Sequence, residues 1–351
     1  MTTRPRATDV ARRAGVSQTA VSFVMNGLAE GNVSPATRDK ILRAAEDLGY
    51  EPNEVARSLR SSRTRTLGMV TDAIASSPFA GRIMGGAGER AAADGYAVMT
   101  IDTHGHAERE AGALAELVRR RVDGLIYASM GFRVLDRAPA ARIPVVLANC
   151  TARSEEELSV VPDDAGGARV AAEHLLGLGH RDLAMLSGHY ERGADGTVAG
   201  NVSGPIRARA FEEAVRSTGA AVKVVPGGWE IRTGYAAALA LLDGAPPTSG
   251  SAGGGPTAIF ATTDRAALGV LLAAAHLGLQ VPQDLSVVGF DDQDGLAADV
   301  VPALTTVALP HAAMGEVAVD MALEAVGGRL TPRREVLPCP LVQRDSTSAP
   351  R

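Results

Sequence analysis

Asp9-Val10-Ala11-Arg12-Arg13-Ala14-Gly15-Val16-Ser17-Gln18-Thr19-Ala20-Val21-Ser22-Phe23-Val24-Met25-Asn26-Gly27 reads as a helix, a glycine turn and a second helix. Thr8 is placed to N-cap the first helix, which runs through Arg13, and Gly15 supplies the left-handed exit that a β-carbon disfavours. Ser17 caps the second helix, which runs through Asn26. Val10, Ala11 and Ala14 face Val21, Val24 and Met25, and this apolar seam leaves Gln18, Thr19, Ser22 and Phe23 pointing outward. A short helix presented in this way is what enters a DNA major groove. Ser34 followed by Pro35 opens a third helix, whose Ile41, Leu42, Ala45 and Leu48 recur at helical spacing until Gly49 stops it. The competing reading of this head is a helical pair that contacts protein.

Charge favours the nucleic-acid reading. The 351-residue chain carries a formal −5, yet residues 1–65 hold 11 basic and 7 acidic side chains, leaving 24 and 33 on the remainder. A basic head on an acidic body is a small polyanion-binding module joined to something else. Cys150 and Cys339 are too few for a disulfide framework or a thiolate metal site, which points to a reducing cytoplasm. The N-terminus has Arg4, Arg6, Asp9, Arg12 and Arg13 and no apolar run of the secretory kind. No stretch reaches the roughly 18 apolar residues needed to span a bilayer. The strongest, 266–279, is broken by His276 and Gly278.

Pro52 and Asn53 begin a short segment over 54–60, too small for a core of its own, and Ser61-Ser62-Arg63-Thr64-Arg65 has a linker's composition. From Thr66 apolar runs alternate with amphipathic stretches. Strands are expected at 67–70, 97–101, 124–127, 145–148, 183–186, 258–261 and 285–288, with helices at 81–93, 108–120, 166–178, 207–217, 233–242 and 265–277. That alternation predicts parallel sheets covered by helices, and its length predicts two α/β lobes with the ligand crevice at the strands' carboxyl ends. Residues 191–205 and 244–256 read as long loops, the second a surface insertion.

The quoted helical stretch, Val33-Ser34-Pro35-Ala36-Thr37-Arg38, Leu48-Gly49-Tyr50-Glu51-Pro52-Asn53 and Ala56-Arg57-Ser58-Leu59 closely resemble the lactose-repressor and galactose-repressor family of bacterial transcription regulators, and the likeness runs to about Asp345. The resemblance implies an all-α helix-turn-helix head (1–52), a hinge helix and linker (53–65), and an α/β two-lobed effector-binding and dimerisation domain (66–351) like periplasmic sugar-binding proteins of type I. It further implies that Gln18, Thr19 and residue 23 face bases, that Ser17, Ala20, Ser22 and Asn26 lie near phosphates or support the helix, and that Leu59 with Ala56 enters the minor groove. Thr8 and Asn53 complete the DNA-contacting set. Wedging Leu59 into the duplex costs least at a flexible pyrimidine–purine step, so an operator with a central CpG is expected. Family members commonly carry Arg where this chain has Phe23. Arginine reads guanine bidentately and phenylalanine offers only apolar contact, so the half-site is expected to differ at that base pair. Burial of Phe23 against the third helix is the alternative.

For the body, the resemblance assigns effector contacts to Asp72, Phe79, Asn149, Arg207, Thr263, Asp264 and Asp291. Arg207 offers a fork that grips hydroxyls or a carboxylate, with Arg209 its competitor if the register slips. Asp264 reads equally as the N-cap of the helix it begins. Trp229 suits stacking on a sugar or anchoring of the second lobe. Asp291-Asp292 end an apolar strand, and such a pair also serves catalysis or a metal. No nucleophile, metal-spaced histidines or phosphate loop accompany it, so neither an enzyme, a cofactor nor a metal is expected. His104-Gly105-His106 and Glu155-Glu156-Glu157 read as solvated, and Gly85-Gly86-Ala87-Gly88 as close helix packing. The expected protein is a cytoplasmic repressor of carbohydrate-utilisation genes, dimeric on a palindromic operator and released by a small sugar. The family's tetramer-forming tail is not expected after Arg344-Asp345-Ser346. A purine or other metabolite acting as corepressor, or a ligand-binding protein whose head contacts protein, is the alternative. Steep loss of DNA binding with salt separates the last from the others.

Overall fold

A computed structural model describes residues 5–50, 63–74, 81–154, 156–188, 191–192, 198–244 and 254–351 of the chain. Its contacts divide it into two units, Met1–Thr64 and Arg65–Arg351.

In the first unit α1 is Ala7–Ala14, α2 Gln18–Met25 and α3 Pro35–Leu48. Helix α1 starts two residues earlier than a Thr8 cap predicts, with Arg6 at the N-cap position. Its opening is closed by Asp9, whose Oδ2 accepts the Arg6 N–H at 2.9 Å, so Thr8 stands exposed in the first turn and caps nothing. The Arg6 N–H, with the Arg12 guanidinium, holds the Asp9 carboxyl below the usual range. Gly15 takes φ 68°, Ser17 Oγ accepts the Ala20 N–H at 3.2 Å, and Ser34 Oγ accepts the Thr37 N–H at 3.3 Å, as the cap pattern requires. The core is Val10, Ala11, Val21, Val24, Ile41, Ala44 and Ala45. Leu42 was expected inside and is 40% exposed, because the inward stripe from Ile41 continues through Ala44, Ala45 and Leu48 and leaves position 42 about 100° away.

In the second unit β1 Thr66–Thr71, β2 Ala97–Asp102, β3 Gly124–Leu135, β4 Val145–Ala152 and β5 Leu158–Pro162 alternate with α4 Gly81–Ala93 and α5 Ala107–Arg119. The chain then enters a second lobe: α6 Asp164–Gly177, β6 Asp182–Ser187, the hairpin β7 Glu191–Arg192 with β8 Val198–Ala199, α7 Ser203–Arg216, β9 Ala221–Pro226, α8 Ile231–Leu242, β10 Ala258–Ala261, α9 Asp264–His276, β11 Ser286–Asp291 and β12 Thr305–Ala308. Helix α10 His311–Val326 and β13 Arg333–Leu337 return to the first lobe, and β14 Leu341–Val342 ends in the second. The sheets are ordered β13-β5-β4-β3-β1-β2 and β14-β12-β11-β10-β6-β9, parallel except for β14. The chain thus crosses between the lobes after β5, β12 and β13.

Apolar strands buried on both faces explain the parallel sheets: β1 and β11 are closed to solvent along nearly all their length. Helices α4 and α10 cross with their backbones in contact; a β-carbon on Gly86 would lie 2.1 Å from Ala312 O, and one on Gly315 2.1 Å from Ile83 O. That is the close packing expected of the glycine-rich run, carried by Gly86 alone. Glu157 corrects the reading of its acidic run, since it is buried, accepts the Ala152 N–H at 3.1 Å and lies 3.5 Å from Arg334. Glu156 is exposed as expected. The loop read over 191–205 is shorter, with α7 beginning at Ser203, where Val202 donates its N–H to Phe132 O at 2.8 Å. The insertion read over 244–256 falls largely outside the described residues, as does the hinge helix read over 54–60.

Candidate functional site

The two units each hold one candidate site. On the head, Gln18 and Thr19 are exposed, Ala20, Ser22, Phe23 and Asn26 half-buried, and Ser17 is the α2 cap. Asn26 Nδ2 donates to Ser22 O at 2.6 Å and lies 3.2 Å from Ser22 Oγ, which ties the helix end down. Phe23 stays outside the apolar cluster that joins the three helices. Asn53, Ala56 and Leu59 lie outside the described residues.

Between the lobes of the body is a cleft with about 330 Å³ of empty space, part of it open to solvent. Asn149, Arg207, Trp229, Thr263 and Asp291 line it, five of the eight effector residues that the sequence singled out. Asn149 and Asp291 both take positive φ, 56° and 123°, a conformation costly for a residue with a side chain and concentrated at binding sites. Asn149 Nδ2 donates to Ser129 O and Met130 O, each at 3.0 Å, so both of its N–H donors are engaged by β3.

Arg207 organises the floor. It is buried on α7, lies over the Phe290 ring at 3.5 Å, donates Nε–H to Asp164 Oδ1 at 2.7 Å and Nη1–H to Thr262 O at 2.6 Å, and stands 3.7 Å from Asp291 Oδ1. Arg209 faces outward to Glu213, which settles the register. Burial raises the Asp291 carboxyl well above its usual range against the pull of Arg207, and Asp264 raises it further; burial likewise raises Asp164, opposed by Arg207.

Thr263, not Asp264, caps α9: Thr263 Oγ1 accepts the Ala266 N–H at 3.0 Å and donates to Trp229 O at 2.9 Å, fixing the Trp229 backbone to the cleft. Asp264 does not line the cleft. Its carboxylate turns under it, accepting the Thr306 hydroxyl and, at 2.7 Å, the Gln293 N–H. Burial pushes it up to about 7 in spite of those two donors. Asp72 also stands off the cleft wall, its Oδ1 accepting the Met130 N–H at 2.8 Å and so setting the bend of β3. Phe79 lies outside the described residues.

Residues unmarked by the sequence complete the lining: Met130, Gly131, Phe132, Pro162, Asn201, Ser203 and Leu309. Strand β3 continues past the predicted Tyr127 with a register shift between Ala128 and Arg133, and this irregularity carries 130–132 into the cleft. Arg82 on α4 pairs with Asp294 beyond β11, one of the contacts between lobes. His104 is exposed, and among the described residues no group of three or more His, Cys, Asp or Glu is arranged to hold a metal. No helix among them is long and apolar enough to cross a membrane, and Cys150 and Cys339 are buried and free.

Residues 8–53 match the family model described as bacterial regulatory proteins, lacI family, and residues 172–347 that of the periplasmic binding protein-like domain. The HTH-type transcriptional repressor PurR of Erwinia tasmaniensis is 32% identical over 93% of this chain and 91% of its own. The HTH-type transcriptional regulator DegA of Bacillus subtilis is 32% identical over 97% of each, and catabolite control protein A of Priestia megaterium 33% over 89% and 90%. Among solved structures, the lac repressor dimer bound to operator and the anti-inducer ONPF superposes with TM-score 0.76 at 27% identity, covering 99% of this chain and all of that one. The CelR–cellobiose complex gives 0.66 at 29% identity, over 98% of this chain and all of that one.

Proposed function

The chain belongs to the lacI family of bacterial regulatory proteins, and from that premise we propose that it is a cytoplasmic homodimeric repressor of carbohydrate-utilisation genes, released from a palindromic operator by a small sugar. The lacI family comprises transcriptional regulators and not enzymes. Residues 1–52 are the DNA-binding domain, 53–65 the hinge and 66–351 the effector and dimerisation domain. Gln18, Thr19 and Phe23 read bases, Ser17, Ala20, Ser22 and Asn26 support the helix at the phosphates, and Ala56 with Leu59 enters the minor groove at a central CpG. One such helix reads too few base pairs for useful specificity, so two half-sites related by a two-fold axis are required.

The observation that carries the sugar is the polar balance of the cleft. Asn149 and Asp291 bring acceptor oxygens and Arg207 and Asn201 bring N–H donors to its lining, beside Trp229 and Phe132. Sugar hydroxyls both donate and accept, and their C–H faces suit aromatic rings. Occupancy changes the lobe angle, and through the dimer orders or disorders the hinge. A purine corepressor is the second reading, favoured by the two rings and by the relatives named PurR.

Selection of sites from a random duplex pool by the purified chain, with and without a sugar mixture and purine bases, tests this. Enrichment of a two-fold CpG-centred site, lost with one sugar, is the expected result. Enrichment only in the presence of a purine replaces the inducer with a corepressor, and no enrichment under any condition overturns the DNA-binding reading.

A further inference from the structure

The proposal here rests on the effector-cleft reading and concerns the charge of what the cleft takes. Among the described residues Arg207 is the only basic one that lines it. Its guanidinium is already committed: Asp164 holds it in a buried pair at 2.7 Å, and Asp291 stands 3.7 Å away on the cleft wall. Asp164 Oδ2 is itself buried with no hydrogen-bond partner among the described residues, so that carboxylate has no second donor to spread its charge. Asp264, the next carboxylate inward, is bound by Thr306 and Gln293. Two further arginines of the first lobe are paired as well, Arg82 with Asp294 and Arg133 at 3.7 Å from Asp72.

From this arrangement we infer that the cleft selects an uncharged effector and rejects its phosphorylated or carboxylated counterpart, with Asp164 as the residue that sets the preference. Among the described residues, one cation facing Asp164 and Asp291 leaves no net positive charge to receive an anion in a low-dielectric site, where like charges brought together are strongly unfavourable. What Arg207 retains for a ligand is hydrogen bonding: no acceptor among the described residues takes its Nη2 donors, and a neutral hydroxyl or carbonyl oxygen satisfies them. Asp164 does not line the cleft and acts only through Arg207. It is therefore a positioning and charge-setting residue.

Trp229, the only tryptophan in the chain, lines the cleft and gives the full-length protein an intrinsic reporter. Its fluorescence is titrated with hexoses and their 6-phosphates, with purine bases and their 5′-monophosphates, and separately with inorganic phosphate. Whichever series responds, the neutral member is expected to bind roughly ten- to a hundredfold tighter than its phosphate ester. Wild type should show no saturable response to inorganic phosphate; Asp164→Asn should acquire one, and the added change Arg207→Met should abolish it. A wild-type protein that binds a phosphate ester as well as the neutral compound overturns the inference. So does a saturable wild-type phosphate response that Arg207→Met removes, or an Asp164→Asn protein that folds and gains no phosphate binding. The Asp291→Asn protein gives the same phosphate readout if Asp164→Asn does not fold. Silence of both organic series counts against the sugar and purine effectors, while the phosphate arm still decides the charge preference.

Discussion

Asp264 carries a pH dependence that belongs to one side chain. Its carboxyl titrates near 7 in the folded chain, pushed there by burial, against the ordinary 3.8 of an exposed aspartate. The folded state therefore holds its proton where the unfolded chain has lost it, so stability falls as pH rises from about 4 to about 7, by up to about 1.4 kcal/mol per pH unit for this proton. Urea unfolding across that range should show a shallower slope in Asp264→Asn than in wild type, and an unchanged slope would remove Asp264 from the account. At Phe23, outside the head's apolar cluster, Phe23→Arg should leave urea stability within about 0.5 kcal/mol. Sites selected by that variant should gain a guanine at one symmetric position, since arginine reads guanine bidentately. Identical selected sites would mean that residue 23 does not face a base.

Elements meet where side chains are missing as much as where they interdigitate. The crossing of α4 and α10 brings Gly86 against Ala312 O and Gly315 against Ile83 O, so any β-carbon forces the helices apart. Gly315→Val should cost about 3 kcal/mol or more in denaturant unfolding of the body, far beyond an ordinary surface change. In the head, Ser34 Oγ closes the start of α3, and Ser34→Ala should cost about 1 kcal/mol there, read by loss of helical signal on heating. Sequence anticipated these caps because capping is local chemistry. It did not anticipate α10, β5, β9, β12, β13 or β14. The Ala, Val and Met of α10 pack against strands β1, β3, β4 and β5, more than a hundred residues upstream, and no local signal announces such a partner.

At the scale of the whole molecule a basic head joined to an acidic body sets how it meets DNA. The formal charge of −5 conceals +4 on residues 1–65, so binding to operator should depend steeply on ionic strength. Affinity for a two-half-site duplex is expected to fall by about a thousandfold or more between roughly 50 and 200 mM salt, through release of condensed counterions. Fluorescence anisotropy across that range checks it, and a flat response would favour a head that contacts protein. A single half-site should bind far more weakly than the pair, because each recognition helix reads too little alone.

The sequence by itself determined the three helices of the head with the Ser17 and Ser34 caps, the alternating α/β body and the family they resemble, since caps, glycine turns and hydrophobic period are written within a few residues of one another. It also singled out Asn149, Arg207, Trp229, Thr263 and Asp291, which the fold gathers around one cleft although successive members stand 22 to 58 positions apart along the chain. Only the tertiary structure decided that Asp264 and Asp72 stand behind the wall, that Thr263 is the cap, that Glu157 is buried, and that 130–132 enter the cleft through an irregular strand. It alone paired Arg207 with Asp164, 43 positions away. The direction of a side chain and the charge left over at a site follow from what packs beside it, and in this body those neighbours come from distant strands and from the second lobe.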